Sequence, residues 1–390
     1  MRDPNTQYLG FLGFTNPLIY TLPMDAKPHI SPLERLFLRY FGEYPATQDP
    51  PLSRAELASK MRPIERGVIW RGGLAGFLSG LAAAGSVYLA QKYSPGLAHH
   101  LQLSETMVFY GVSVGLTTGA TLFEIAFLYT DAVKGCAAMS RLAQTRLNLE
   151  RVVLPFLNQN LVRAGLELPN RHQPLYGIDP LTEQSKLRLL FFSFAYKLKV
   201  SATNLLAKFI LRRFFPRLAG RTFGRTIIEL ASAPVFTVWN IFLCRRIMRQ
   251  ARVRALGPAL VDDLVKEFFS AGLAAASVAE RRALYAAIKE TVILSGTFHC
   301  NLILLASLVV EHLHPQEEKR SLTETLHHLN AEQQAKALDL LAFILVLDGK
   351  LNKKKRAFFD TVLQSLGHAP RPTALQDCLT VVVHGKALGA

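Results

Sequence analysis

Two long runs without a charged side chain dominate the hydrophobic pattern. The first covers 19 residues, Gly72 to Ala90; the second covers 18, Thr106 to Phe123, and continues past Glu124 through Ile125 to Thr130. Each predicts a helix long enough to cross the roughly 30 Å hydrocarbon core of a bilayer. Residues 67–131 therefore read as a transmembrane hairpin with spans 72–90 and 106–130. Glycine recurs four residues apart in both, at Gly72, Gly76 and Gly80 and again at Gly111, Gly115 and Gly119, which places each set on one helix face. Small residues let helix backbones approach closely in lipid, so the two stripes predict that the spans pack on each other, with a homo-oligomer as the other use of such faces.

Cations fix the orientation, because positively charged loops stay cytoplasmic. Arg54, Lys60, Arg62, Arg66 and Arg71 precede the first span, Lys92 stands alone in the loop, and Lys134, Arg141, Arg146 and Arg151 follow the second. Both termini are expected inside, with 1–66 a cytoplasmic segment and 132–185 a cytoplasmic connector. The apolar stretch Tyr8 to Met24 is broken by Asn16, Pro17 and Pro23 and does not resemble a cleavable signal peptide. His99 and His100 in the outer loop read as a solvated tip.

The chain of 390 residues carries 45 Lys and Arg against 29 Asp and Glu, a formal charge of +16. The excess is local: residues 186–254 hold 15 cations and a single acid, Glu229, while the flanking parts are close to balanced. Cations alternate with Phe, Leu and Ile there, so 186–256 reads as basic, membrane-associated helices in the plane of the surface. Lys197, Lys199, Lys208, Arg212, Arg213, Arg217, Arg221 and Arg225 are the expected contacts to anionic lipids of the bilayer. Residues 226–244 form a candidate third span or a re-entrant segment, since strongly basic flanks on both sides oppose a simple crossing.

After Gly257-Pro258 the composition shifts to Ala- and Leu-rich helices with balanced charge, defining a domain at 257–390. Thr291 to Val310, uncharged over 20 residues, reads as its central buried helix. The run Ala337 to Leu347, then Asp348-Gly349, a charged turn, and Phe358 to Gly367 reads as helix, turn, helix and C-cap. This segment resembles the TerB-like (tellurite-resistance-B-like) helical domain, in which an apolar helix ends in Asp-Gly and a Glu opens the next helix. Asp348, Gly349 and Leu351 match that pattern, Lys355 stands where the Glu would be, and Ala276 to Arg281 looks like a second half-motif that keeps Glu280. The resemblance implies Asp339, Asp348 and Glu280 as candidate ligands of a divalent metal; no other cofactor is expected. Glu324 and His328, four apart on one helix, are a further metal-ligand pattern, with a polar linker as the plainer reading. Pro234 to Asn240, followed by Arg245-Arg246, is similar to a stretch in uncharacterised bacterial membrane proteins that carry a TerB-like tail.

These features predict an all-α protein: a transmembrane hairpin, basic amphipathic or re-entrant helices, and a C-terminal TerB-like domain. The expected role is an interaction or stress-response module anchored in the bacterial inner membrane, with a protein partner for the C-terminal domain. A solute or ion transporter using Glu124 and Glu229 is the alternative, and nucleic-acid binding through 186–254 is a third reading that no recognised motif accompanies. Cys136, Cys244, Cys300 and Cys378 are widely separated, so neither a disulfide framework nor a zinc ribbon is expected. No nucleophile, phosphate loop or paired-acid pattern specifies an enzyme.

Overall fold

Helix caps written in the sequence begin most of the elements. In the computed structural model, which describes residues 30–42, 52–93, 103–147, 153–170, 173–181, 232–313 and 321–388, every regular element is a helix. Those residues form α1 (Pro32–Leu38), α2 (Arg54–Tyr93), α3 (Leu103–Leu147), α4 (Val153–Gly165) and α5 (Ser232–Ala255). They continue as α6 (Gly257–Phe268), α7 (Val278–Ser295), α8 (Cys300–Val310), α9 (Leu322–His327), α10 (Ala331–Val346), α11 (Lys353–Ser365) and α12 (Ala374–His384). Ser31, Ser277 and Ser321 each close a capping box with a Glu three residues on, and Asn330 does so with Gln333. Such boxes satisfy backbone N–H groups that have no partner within the helix.

Three helices form a column. α2 and α3, with 40 and 45 residues, are about 60 and 68 Å long at 1.5 Å per residue. They run antiparallel in one register, shown by Val68 against Gly135, Arg71 against Asp131, and Ser86 against Thr117. α5 lies antiparallel to α2 and begins beside Gly80, part of the way up the apolar half. In its lower half the column shares a core with α4, built from Leu57, Met61, Ala132, Met139 and Met248 together with Leu161 of α4.

The C-terminal helices pack around α8, in which every residue except Val310 is buried. The expected single helix over Thr291 to Val310 is instead two. α7 stops at Gly296, which adopts a left-handed φ of 65°, and His299 caps α8. The turn lets both segments bury against one core, which a straight helix of that length could not do in a domain this small. The chain turns tightly at Gly257-Pro258, where only Leu256 separates α5 from α6. The connector joins the same core: Val153, Leu175 and Ile178 are buried in it, and the Tyr285 hydroxyl donates to Tyr176 O at 2.8 Å. At the other end Arg54 Nη2 donates to Lys386 O at 2.5 Å, so the end of the described chain clasps the start of α2.

Candidate functional site

The surface of the column changes character half-way along. Large hydrophobic side chains are exposed on the upper parts of α2, α3 and α5: Trp70, Leu74, Phe77, Leu78, Leu122, Phe123, Val238 and Phe242 among them. Trp70 is 73% and Phe123 75% exposed. Elsewhere among the described residues only Leu33, Leu36 and Val278 are comparably bare, so the apolar surface is one belt. Its lower edge is sharp. Arg71 Nε reaches both carboxylate oxygens of Asp131 at 3.0 and 3.1 Å, and Arg245 and Arg246 are exposed on α5 directly after Cys244, which faces Gly72. One helix, over Arg54–Ser86, is long and apolar enough to cross a membrane among the described residues, where the sequence predicts two. Part of the expected second span, the side chains of 106–110 and 112–114, lies outside the described set.

The two glycine stripes do different things, which corrects the expected pairing. Gly76 and Gly80 face α5 rather than α3, and Gly72 lies against Cys244 of α5 with Leu128 of α3 beside it: a Cβ on Gly76 would come within 2.6 Å of Phe236 O, and one on Gly80 would collide with Ala233 Cα. Gly111, Gly115 and Gly119 have nothing within 4 Å. α2 and α3 pair through other faces, where Ser86 and Thr117 hydroxyls meet at 3.0 Å. Above the edge, Asn240 Nδ2 donates to Glu124 Oε1 at 2.6 Å. Both side chains are buried and Asn240 sits over Gly76, so this polar contact ties all three helices together.

Below the edge, α5 meets the turn after α10. Gly349, at φ 70°, lies over Val253, and Arg249 Nη2 donates to Gly349 O at 3.3 Å. Lys355, 1% exposed, places its ammonium 2.8 Å from Asp348 Oδ2 and 3.3 Å from Lys350 O. Asp348 Oδ1 accepts from Lys350 N at 3.0 Å, closing an Asx turn. Lys350 is open at the surface, yet packing dehydrates its ammonium and pushes its pKa below the usual lysine range; Arg254, Arg246 and Lys355 add to that, and Asp348 opposes it.

Deeper in this junction Asn301 Nδ2 donates to Val253 O at 3.1 Å and Leu347 O at 3.0 Å. One amide thus joins the ends of α5 and α10 to the start of α8, and Gly257 leaves room for it. Arg254 donates to Asn160 O at 2.9 Å and Asn170 Oδ1 at 2.8 Å. His299 is 1% exposed; burial, then Arg254, Lys350 and Lys355, hold its imidazole well below the ordinary histidine pKa. It stays neutral because charging it would add another cation to a dehydrated cluster of cations.

The three candidate metal ligands do not converge. Asp339 pairs with Arg371 at 2.5 Å, Asp348 with Lys355, and Glu280 closes the capping box of α7 with Ser277. Glu324 likewise caps α9. Among the described residues no three His, Cys, Asp or Glu side chains stand close enough together to hold a metal ion. The eight cations from Lys197 to Arg225, together with Glu229, His99 and His100, lie outside the described residues. Two groups were not singled out by sequence reading: Asn240 as the partner of Glu124, and the Arg246, Arg249 and Lys350 cluster, which unites positions a hundred residues apart. A shallow, mostly apolar groove on the C-terminal domain, lined by Phe268, Leu284, Leu326 and Leu340 with Lys336 at its rim, completes the surface. In comparison with known proteins, no family model, curated protein or solved structure matches the chain.

Proposed function

We propose that the chain is a membrane-anchored interaction module. In this reading the upper parts of α2, α3 and α5 lie in a bacterial inner membrane, and α6 to α12, with their TerB-like segment, are held at its cytoplasmic face for a protein partner, in the manner of a stress-response scaffold. The observation that carries the reading is the belt. Apolar surface of this extent, continuous over three helices and ending at a line of charges, is stable against hydrocarbon and unstable in water. The internal polar groups of that half, Glu124 with Asn240 and Ser86 with Thr117, are hydrogen-bonded to one another, as a water-poor surrounding demands.

Orientation is tested by thiol labelling of intact spheroplasts with a membrane-impermeant maleimide. Ser94→Cys is expected to label from outside and Lys60→Cys only after permeabilisation. The native Cys136 stays silent because burial raises its pKa to about 12. External labelling of Lys60→Cys, or protection of both positions, would refute the arrangement.

A further inference from the structure

Along one face of α5, residues three or four apart change from apolar to cationic: Val238, 67% exposed, then Phe242, 59% exposed, then Arg246 and Arg249. Val253, next on that face, is covered by Gly349, so the Asp348-Gly349-Lys350 turn closes the lower end of the stripe. We infer that Arg246, Arg249 and Lys350 bind the phosphate of one anionic phospholipid, whose acyl chain lies along Phe242 and Val238. This rests on the membrane-anchored reading and deepens it, since it names the lipid site and ties it to the C-terminal domain.

Depth, charge and shape each support the assignment. Arg246 and Arg249 follow Cys244 by two and five residues, about 3 and 8 Å along the helix axis, which is where headgroups flank the hydrocarbon core. The cluster keeps an excess of positive charge. The acids that face it are Asp348, engaged by Lys355 and by the Lys350 N–H, and Glu167, which pairs with Arg246 at 3.9 Å, so two carboxylates stand against the four cations Arg246, Arg249, Lys350 and Lys355. The hydrogen bond from Arg249 to Gly349 O orients one guanidinium in advance, and two guanidinium forks with one ammonium suit a phosphate. A stripe that is apolar above and cationic below fits an amphiphile; a soluble anion would leave Phe242 and Val238 uncovered.

The full chain, reconstituted in phosphatidylcholine nanodiscs, provides the test, because Trp239 lies beside Phe242 and is 38% exposed. In a Trp70→Phe background, quenching of Trp239 by brominated phosphatidylglycerol is compared with quenching by brominated phosphatidylcholine. A preference for the anionic lipid of about tenfold is expected, falling to about twofold in the Arg246→Gln, Arg249→Gln, Lys350→Gln variant. Removing equal charge elsewhere, with Lys60→Gln, Arg66→Gln and Arg141→Gln, should leave the preference intact, and the single Lys350→Gln variant reports on the site if the triple one misfolds. Equal loss in both triple variants, or no preference in the native chain, would overturn the site while leaving the anchored reading standing. Displacement by soluble glycerol phosphate would overturn the lipid assignment in favour of a soluble anion. Failure to enter nanodiscs at all would overturn the anchored reading itself.

Discussion

Lys355 shows how a single side chain can decide what a turn does. Its ammonium occupies the space between the Asp348 carboxylate and the Lys350 carbonyl, so the Asp-Gly turn is closed by a cation supplied by the chain itself. Lys355→Met should lower stability by about 3 kcal/mol, because it leaves Asp348 without its partner in a buried setting. Adding Asp348→Asn, which keeps the acceptor of the Asx turn, should restore most of that loss in denaturant unfolding of the purified chain. A double variant no better than the single one would contradict the pairing. His299 gives a second residue-scale expectation. Its folded pKa lies well below 6.5, so below that pH the unfolded chain binds the proton that the folded chain refuses, and stability falls with falling pH. His384, also held low, chiefly by desolvation and then by Arg252, acts in the same direction. The loss from His299 alone is at most about 1.4 kcal/mol per pH unit. In His299→Asn, which retains a capping side chain for α8, the acid-side decline should be shallower between about pH 7 and about pH 5; parallel profiles would contradict a neutral buried imidazole.

At the level of elements, the two glycine stripes permit a direct contrast. Gly76→Val and Gly80→Val place side chains where the α5 backbone already lies, and should lower the thermal midpoint and open α5 to proteolysis. Gly115→Val, with open space around it, should do neither. Glu124→Gln should be tolerated because an amide oxygen can still accept from Asn240, whereas Glu124→Leu leaves the Asn240 amide without its acceptor and should cost about 1–3 kcal/mol. The turn after α10 and the end of α11 were legible in the sequence because their signals, Asp348-Gly349 and Gly367, are local, whereas the stop at Gly296 was hidden inside the uncharged run from Thr291 to Val310 and was read through. Which stripe faces which helix was not legible, because four-residue spacing defines a face without naming what covers it. Asn240 was missed as the partner of Glu124 for a related reason. The two are 116 residues apart, and only the register of α5 on α2 brings them together.

Over the whole molecule, the column and the C-terminal helices share a junction in which Asn301, Arg254 and the Arg54 to Lys386 clasp join segments from both ends of the sequence. The all-α class was evident from composition and periodicity. The cationic cluster of Arg246, Arg249 and Lys350 was not, since it exists only once the turn after α10 lies on α5. Whether the exposed belt from Trp70 to Phe242 faces lipid is decided by alkaline carbonate extraction of membranes from cells making the full chain. The protein is expected to stay in the pellet with integral membrane proteins. Its release into the supernatant would mean that the belt is covered by protein, and would contradict the anchored module.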